Sequence, residues 1–219
     1  LILPWSSRRA FELLEALAFA ALVAWYIWRM QTVALWTWSL LLLWVFVSFL
    51  LHRDTPKTIG WRADNLWPAT RRSLWFFIPS ALLLWLTGLS LGMLHRAPIH
   101  LINRQRFIGY LAFCLLQQVL LNSYLTNRLL AAFNNNAIAA ALLSGLIFGA
   151  LHWPNPVLVP LTFIGGVAMT WLFARDRNIL PLALAQSVLG GLIWWAFPLL
   201  WHHSMRVGPG FYSFHNSFH

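Results

Sequence analysis

The sequence predicts an all-α fold, a polytopic transmembrane helical bundle of about seven spans (six to eight), and three observations lead there. Of the 219 residues, 60% are apolar and only 9% are charged, against roughly 45–50% and 25% in a soluble domain. So few charges cannot cover a water-facing surface, so most of the surface faces lipid. Apolar runs near the ~20 residues needed to cross hydrocarbon recur along the whole chain. Fifteen Trp residues gather near the ends of those runs, among them Trp25, Trp28, Trp38, Trp75, Trp195 and Trp201. There an indole keeps its ring in hydrocarbon and its N–H toward water.

Taken in order, the spans are 13–28, 32–51, 73–94, 107–130, 137–152, 156–174 and 179–201. Arg8 and Arg9 precede the first, which is followed by further spans and so does not read as a cleavable signal peptide. The third opens after Arg71 and Arg72, the fourth after Arg104 and Arg106. Pro154 and Pro156 stop the fifth, and Arg175 and Arg177 close the sixth. The first and fifth are short for a hydrocarbon core of about 30 Å, which implies tilt, an interfacial position or continuation into a flank. Only the connections 52–72 and 95–106 have real length, and no repeat divides the chain. It reads as one integral membrane domain, 1–219.

The net charge of +10 would suggest nucleic acid in a soluble protein. Here the basic residues lie in short loops beside apolar spans, where topology and anionic lipid select them, so membrane lipid is the expected partner and nucleic acid is not. With the N-terminus inside, inner segments hold ten Lys and Arg, five of them in the 52–72 connection (Arg53, Lys57, Arg62, Arg71, Arg72), and outer segments hold five, including Arg96. The bias predicts a cytoplasmic N-terminus. The single Cys114 lies within a span and forms no intramolecular disulfide.

Polar residues inside spans need a partner or a purpose. Gln118, Asn122 and Thr126 recur every four residues on one helical face with Gln117 adjacent. Phe148 and His152 share a face of the fifth span, where Gly145 and Gly149 admit a close neighbour. Gln186 and Ser187, followed by Gly190 and Gly191, lie in the seventh. Taken singly, each is explained as a hydrogen bond between helices worth about 0.6–2 kcal/mol. Five such residues over three helices (Gln117, Gln118, Asn122, His152 and Gln186) point instead to one shared polar cavity.

Their order and spacing resemble the CAAX-protease and bacteriocin-processing family (CPBP, also called Abi) of intramembrane peptidases. That family carries Glu-Glu-x-x-x-Arg, Phe-x-x-x-His and His-x-x-x-Asn or Asp in successive helices. The resemblance covers roughly residues 55–195 and is most specific at Phe148-Gly149-Ala150-Leu151-His152 followed by Trp153-Pro154-Asn155. Thr58-Ile59-Gly60-Trp61-Arg62 also looks like the family's Leu-Gly-rich loop. The resemblance implies Gln117, Gln118, Asn122, Phe148, His152 and Gln186 as the catalytic positions and a bacterial inner membrane as the location. The chain departs from the pattern where Gln117-Gln118 replaces Glu-Glu, Asn122 replaces Arg, and Gln186 and Gly190 replace His and Asn.

A carboxylate tuned toward neutrality accepts a proton from water, and a carboxamide does not. No Glu follows Glu15, and the one acid beyond the doublet, Asp176, is expected to pair with its neighbours Arg175 and Arg177. One His with three amides makes a poor zinc site, so neither a metal nor another cofactor is expected. Adjacent His202 and His203, with His215 and His219 beyond, do not share a helical face and make no better site. The expected function is therefore that of a divergent family member without glutamate-dependent peptidase chemistry, its neutral cavity holding a hydrophobic peptide, a prenylated chain or an isoprenoid. The alternatives are an active CAAX-type endopeptidase using His152, and a small transporter, which would normally show intramembrane charge or paired broken helices.

Overall fold

A computed structural model describes residues 5–93 and 103–213. Arg96, His215 and His219 lie outside the described residues. Among the described residues seven long helical rods follow one another: α1 (Trp5–Trp25), prolonged by a π-helical turn Tyr26–Met30; α2 (Trp38–Leu51), entered through a 3-10 turn; α3 (Leu66–Ser90); α4 (Arg104–Ala132); α5 (Ala137–Ala150); α6 (Leu158–Asp176); and α7 (Leu180–Ala196). No strand occurs among the described residues.

Four rods are long and apolar enough to cross a membrane: Ser7–Met30, Leu66–Ser90, Arg104–Ala132 and Leu158–Asp176. The shorter apolar helices Leu35–Leu51, Ala137–Ala150 and Leu180–Ala196 have 17, 14 and 17 residues; at 1.5 Å per residue they extend only about 21–26 Å. Each rod falls on one of the seven apolar runs. The first is longer than its apolar stretch, because helix continues outward through Glu12, Arg9 and Arg8.

Small residues set the closest approach. A Cβ on Gly145 would come within 2.4 Å of Val167 Cγ2 and one on Gly166 within 3.0 Å of Gly145 Cα, so α5 and α6 meet nearly backbone to backbone. Between α3 and α7, Gly88 makes room for the Trp195 ring, which stacks on Trp85 with centroids 4.6 Å apart. Trp195 is thereby buried, 2% exposed. This corrects its place in an interfacial belt, where Trp25, Trp38, Trp75 and Trp201 do lie exposed.

The centre of the bundle is α4. Its middle, Val119–Thr126, is π-helical, and residues 121–130 are all buried. At one end of the bundle the loop 52–65 is tied to α4 and to the α6–α7 connection. Asn127 Nδ2 donates to the Thr58 carbonyl (3.0 Å), Arg128 pairs with Asp54, Ile179 N donates to the Gly60 carbonyl (3.0 Å) and Asn178 Nδ2 donates to the Arg62 carbonyl (3.0 Å). Asp176 pairs with Arg72, across the bundle, and not with its chain neighbours. Arg175 lies over the Trp171 ring, while Arg177 reaches Asn127. The αL turn at Arg177 (φ 49°) sends these side chains in different directions, so sequence adjacency does not make a pair.

Candidate functional site

The motif positions come from three rods, and hydrogen bonds join four of them in a chain. Gln186 Nε2 on α7 donates to Gln117 Oε1 (2.6 Å), and Gln118 Nε2 donates to Gln186 Oε1 (2.6 Å). Asn122 Nδ2 donates to Gln118 Oε1 (2.5 Å), and Thr126 Oγ1 and Thr170 Oγ1 donate to Asn122 Oδ1 at 3.1 and 3.2 Å. Ser144 on α5 lies 3.2 Å from Thr126 Oγ1. Gln118, Asn122, Thr126, Ser144 and Thr170 are fully buried. Each amide oxygen in the series thus receives an N–H or O–H, which is what removal from water requires.

The π-helical segment shapes this chain. Thr126 Oγ1 also lies 2.9 Å from the Leu121 carbonyl, five residues back. Such i−5 geometry accompanies the wide turn and frees backbone acceptors for side chains. Nothing in the four-residue spacing of Gln118, Asn122 and Thr126 announced it.

His152 lies in the turn beyond α5, on a ring-to-ring contact with Phe148 (centroids 4.7 Å, edge-on). Its Nδ1 stands 2.6 Å from the Phe148 carbonyl. A carbonyl only accepts, so Nδ1 carries the proton and Nε2 keeps the lone pair. Phe148, His152, Gln117, Gln186 and Met169 line one cavity of about 490 Å³, which runs between α1, α2, α4, α5, α6 and α7, with Phe77 of α3 on its wall. Val207 and Met205 from the C-terminal segment line it too, beside Ile27 and Gln31. The other lining residues are almost all aliphatic or aromatic, and none carries a carboxylate, ammonium or guanidinium group. Gln118 and Asn122 do not reach that cavity; they sit behind Gln186 in the amide chain.

Gly190 stands where the family pattern has Asn. A Cβ there would fall 2.1 Å from Tyr110 Oη. The Tyr110 ring from α4 occupies the space that a side chain at this position would need. That substitution on a different helix is invisible to motif spacing.

Away from the cavity, His202 is fully buried, its Nδ1 accepting from Met205 N (3.2 Å) and its Nε2 3.2 Å from the Phe197 carbonyl. His203 Nδ1 lies 2.7 Å from the Phe211 carbonyl, with the two rings stacked. Asn155 Nδ2 holds the same segment through the carbonyls of His202 (2.8 Å) and Arg206 (3.0 Å). These side chains fasten the C-terminal segment over the end of the bundle. A charged group that the motif reading did not use, Glu12 and Glu15 with His52 and Arg128, assembles nearer the start of α1. Its signal was two acids three residues apart on one face of an apolar helix.

Comparison with known proteins adds one finding. A family model for the type II CAAX prenyl endopeptidase, Rce1-like, matches residues 105–192. No curated protein and no solved structure matches the chain. The matched segment contains all six motif positions, from Gln117 to Gln186. Over that segment the chain is similar to the CAAX-protease family, the family that its motifs resemble.

Proposed function

We propose that this protein is a non-hydrolytic member of the CAAX-protease family that binds a hydrophobic or prenylated peptide, or an isoprenoid, in its intramembrane cavity. The observation that carries the reading is the amide chain itself. Where the family has a carboxylate to activate water, Gln117 Oε1 accepts from Gln186, and Gln186 Oε1 accepts from Gln118. A carboxamide so held is neither a base nor an anionic metal ligand. General-base assistance supplies a factor of about 10²–10⁴ in such reactions, and the chain lacks the group that gives it. What remains is a cavity of about 490 Å³, within the range of roughly 300–1,000 Å³ for small-molecule sites, mostly apolar with a few convergent polar atoms. An isoprenoid tail suits the walls, and an amide or hydroxyl suits Gln117, Gln186 and His152.

The second reading, an active endopeptidase, draws on one feature only. His152, with Nδ1 committed to the Phe148 carbonyl, has a lone pair at Nε2 and is a competent general base in type.

All seven rods cross the bilayer in this account, with the N-terminus and the 52–65 loop in the cytoplasm of a bacterial inner membrane. The start of α3 and the ends of α2, α4 and α6 meet at one end, through Asp54, Asn65, Arg72, Arg128 and Asp176, as alternating crossings require. The excess of Lys and Arg in the segments at that end favours the cytoplasmic side.

The test is a titration of detergent-purified protein with a farnesylated peptide and its unprenylated counterpart, followed by Trp fluorescence. Saturable binding of the prenylated form, weakened by Gln186→Leu or by filling the cavity with Gly165→Leu, is expected. Equal response to both peptides, or none, overturns the proposal.

A further inference from the structure

Four elements bring a second set of ionisable groups together outside the cavity. Glu12 and Glu15 lie on one face of α1, His52 caps α2, Asp54 begins the loop, and Arg128 comes from α4. Glu12 and Arg128 are each 3% exposed. His52 Nε2 stands 3.3 Å from Glu12 Oε1 and 3.4 Å from Glu15 Oε2, and one ligand atom from each of the three residues falls within 4.8 Å of the others.

An ion-pair cluster would use its hydrogen bonds to satisfy the carboxylates. This one does not. Arg128 hydrogen-bonds Asp54, while its contacts with Glu12 Oε2 and Glu15 Oε1 are long, 3.9 and 3.8 Å. Glu12 Oε2, Glu15 Oε2 and Arg128 Nε are buried without any hydrogen-bond partner. Glu15 Oε2 is thus unpartnered although it lies 3.4 Å from Nε2, so the imidazole nitrogen points between the carboxylates and not at that oxygen. A buried anionic oxygen left this way is costly.

The surrounding groups orient the three side chains. The Ser48 carbonyl lies 3.0 Å from His52 Nδ1, which fixes the ring with Nδ1–H on that carbonyl and Nε2 turned toward the two glutamates, where a bound cation would take the place of a proton. Ser48 Oγ donates to Glu15 Oε1 (2.5 Å), as does Tyr124 Oη (3.2 Å), itself held by Trp44 Nε1 (2.7 Å). Such outer contacts are what fix metal-ligating histidines and carboxylates. In a tetrahedral site with bonds of about 2.0–2.1 Å, neighbouring ligand atoms are about 3.3–3.4 Å apart, and that is the spacing His52 Nε2 keeps from each glutamate.

We infer that Glu12, Glu15 and His52 form a binding site for a divalent cation of the zinc class, with Ser48 and Tyr124 as positioning residues. The mixed imidazole and carboxylate set suits zinc, with manganese as the next candidate. Three carboxylates face Arg128, with Arg9 one turn before Glu12 on α1, and a dication reduces the remaining negative charge. Three protein ligands leave a further coordination position to water.

The experiment uses the full chain in detergent, stripped with chelator and titrated with Zn²⁺ and Mn²⁺ by calorimetry. One Zn²⁺ per chain is expected, at least 100-fold weaker in His52→Ala, about 10-fold weaker in Ser48→Ala, and unchanged in His203→Ala. The Ser48→Ala protein keeps all three ligands and guards against a His52→Ala protein that does not fold. Co²⁺ loaded on the unmodified chain should give the visible absorption of a four-coordinate site, lost in Glu15→Gln. Absence of binding by the unmodified chain, or binding that survives His52→Ala and Glu15→Gln, or binding that moves with His203→Ala, overturns the inference.

Discussion

Replacing Gln118 by leucine keeps about the same volume and removes the middle link of the amide chain. Gln118 is fully buried and joins three partners: Gln186 Oε1 at 2.6 Å, Asn122 Nδ2 at 2.5 Å and the Met169 sulfur at 3.0 Å. Leucine leaves the Gln186 oxygen and the Asn122 amide hydrogen without partners. A buried polar group stranded in this way costs about 1–3 kcal/mol, and hydrogen bonds between membrane helices measure about 0.6 kcal/mol on average, up to about 1.7. Two stranded groups therefore cost about 2–4 kcal/mol. At about 2–4 °C per kcal/mol for a chain of this length, thermal unfolding of the detergent-solubilised variant should fall by several degrees. The double variant Gln118→Leu, Gln186→Leu removes one stranded acceptor with its donor, so its loss should be less than the sum of the single losses. An unchanged Tm in Gln118→Leu, or strict additivity in the double variant, would refute the amide chain as a connected structure.

Other substitutions probe other parts. Gly190→Asn drives a side chain into the Tyr110 ring; overpacking of this kind costs about 1–3 kcal/mol, and Tyr110→Ala should recover part of it in a thermal melt. Gly145→Leu collides with Val167 and the Phe163 carbonyl on α6 and should lower the yield of folded protein on size exclusion far more than Gly109→Ala, where space is open and the backbone is helical. Arg72→Ala takes away the partner of Asp176, whose side chain is only 10% exposed against 37% for Arg72, so stranding that carboxylate should cost more in a thermal melt than the roughly 0–1 kcal/mol of a fully exposed pair. In a Cys114→Ala background, Thr58→Cys in the exposed 52–65 loop should resist impermeant thiol reagents added outside intact cells; labelling there would reverse the topology.

The rods were legible because membrane helices announce themselves by length and hydropathy, and each begins or ends near a Pro, a Trp or a basic pair. The convergence of Gln117, Gln118, Asn122 and Gln186 followed from the cost of facing amides to lipid. What the sequence hid depends on three dimensions. The π-helical stretch Val119–Thr126 has no residue signature. Tyr110 fills the place opposite Gly190 from another helix. Trp195 looks like an interfacial indole until Gly88 gives it a slot. Asp176 stands between two arginines in sequence yet pairs with Arg72, more than 100 residues away. Glu12 and Glu15 lie outside the matched segment 105–192, where the family's motifs carry no information.

The central claim is that the cavity binds and does not hydrolyse. Its most direct test is mass spectrometry of a prenylated peptide with a cleavable C-terminal tail, incubated with the purified chain and with His152→Ala. Intact peptide is expected in both, at concentrations where the unmodified chain is saturated. Cleavage by the unmodified chain that disappears in His152→Ala would contradict it and make His152 a catalytic base.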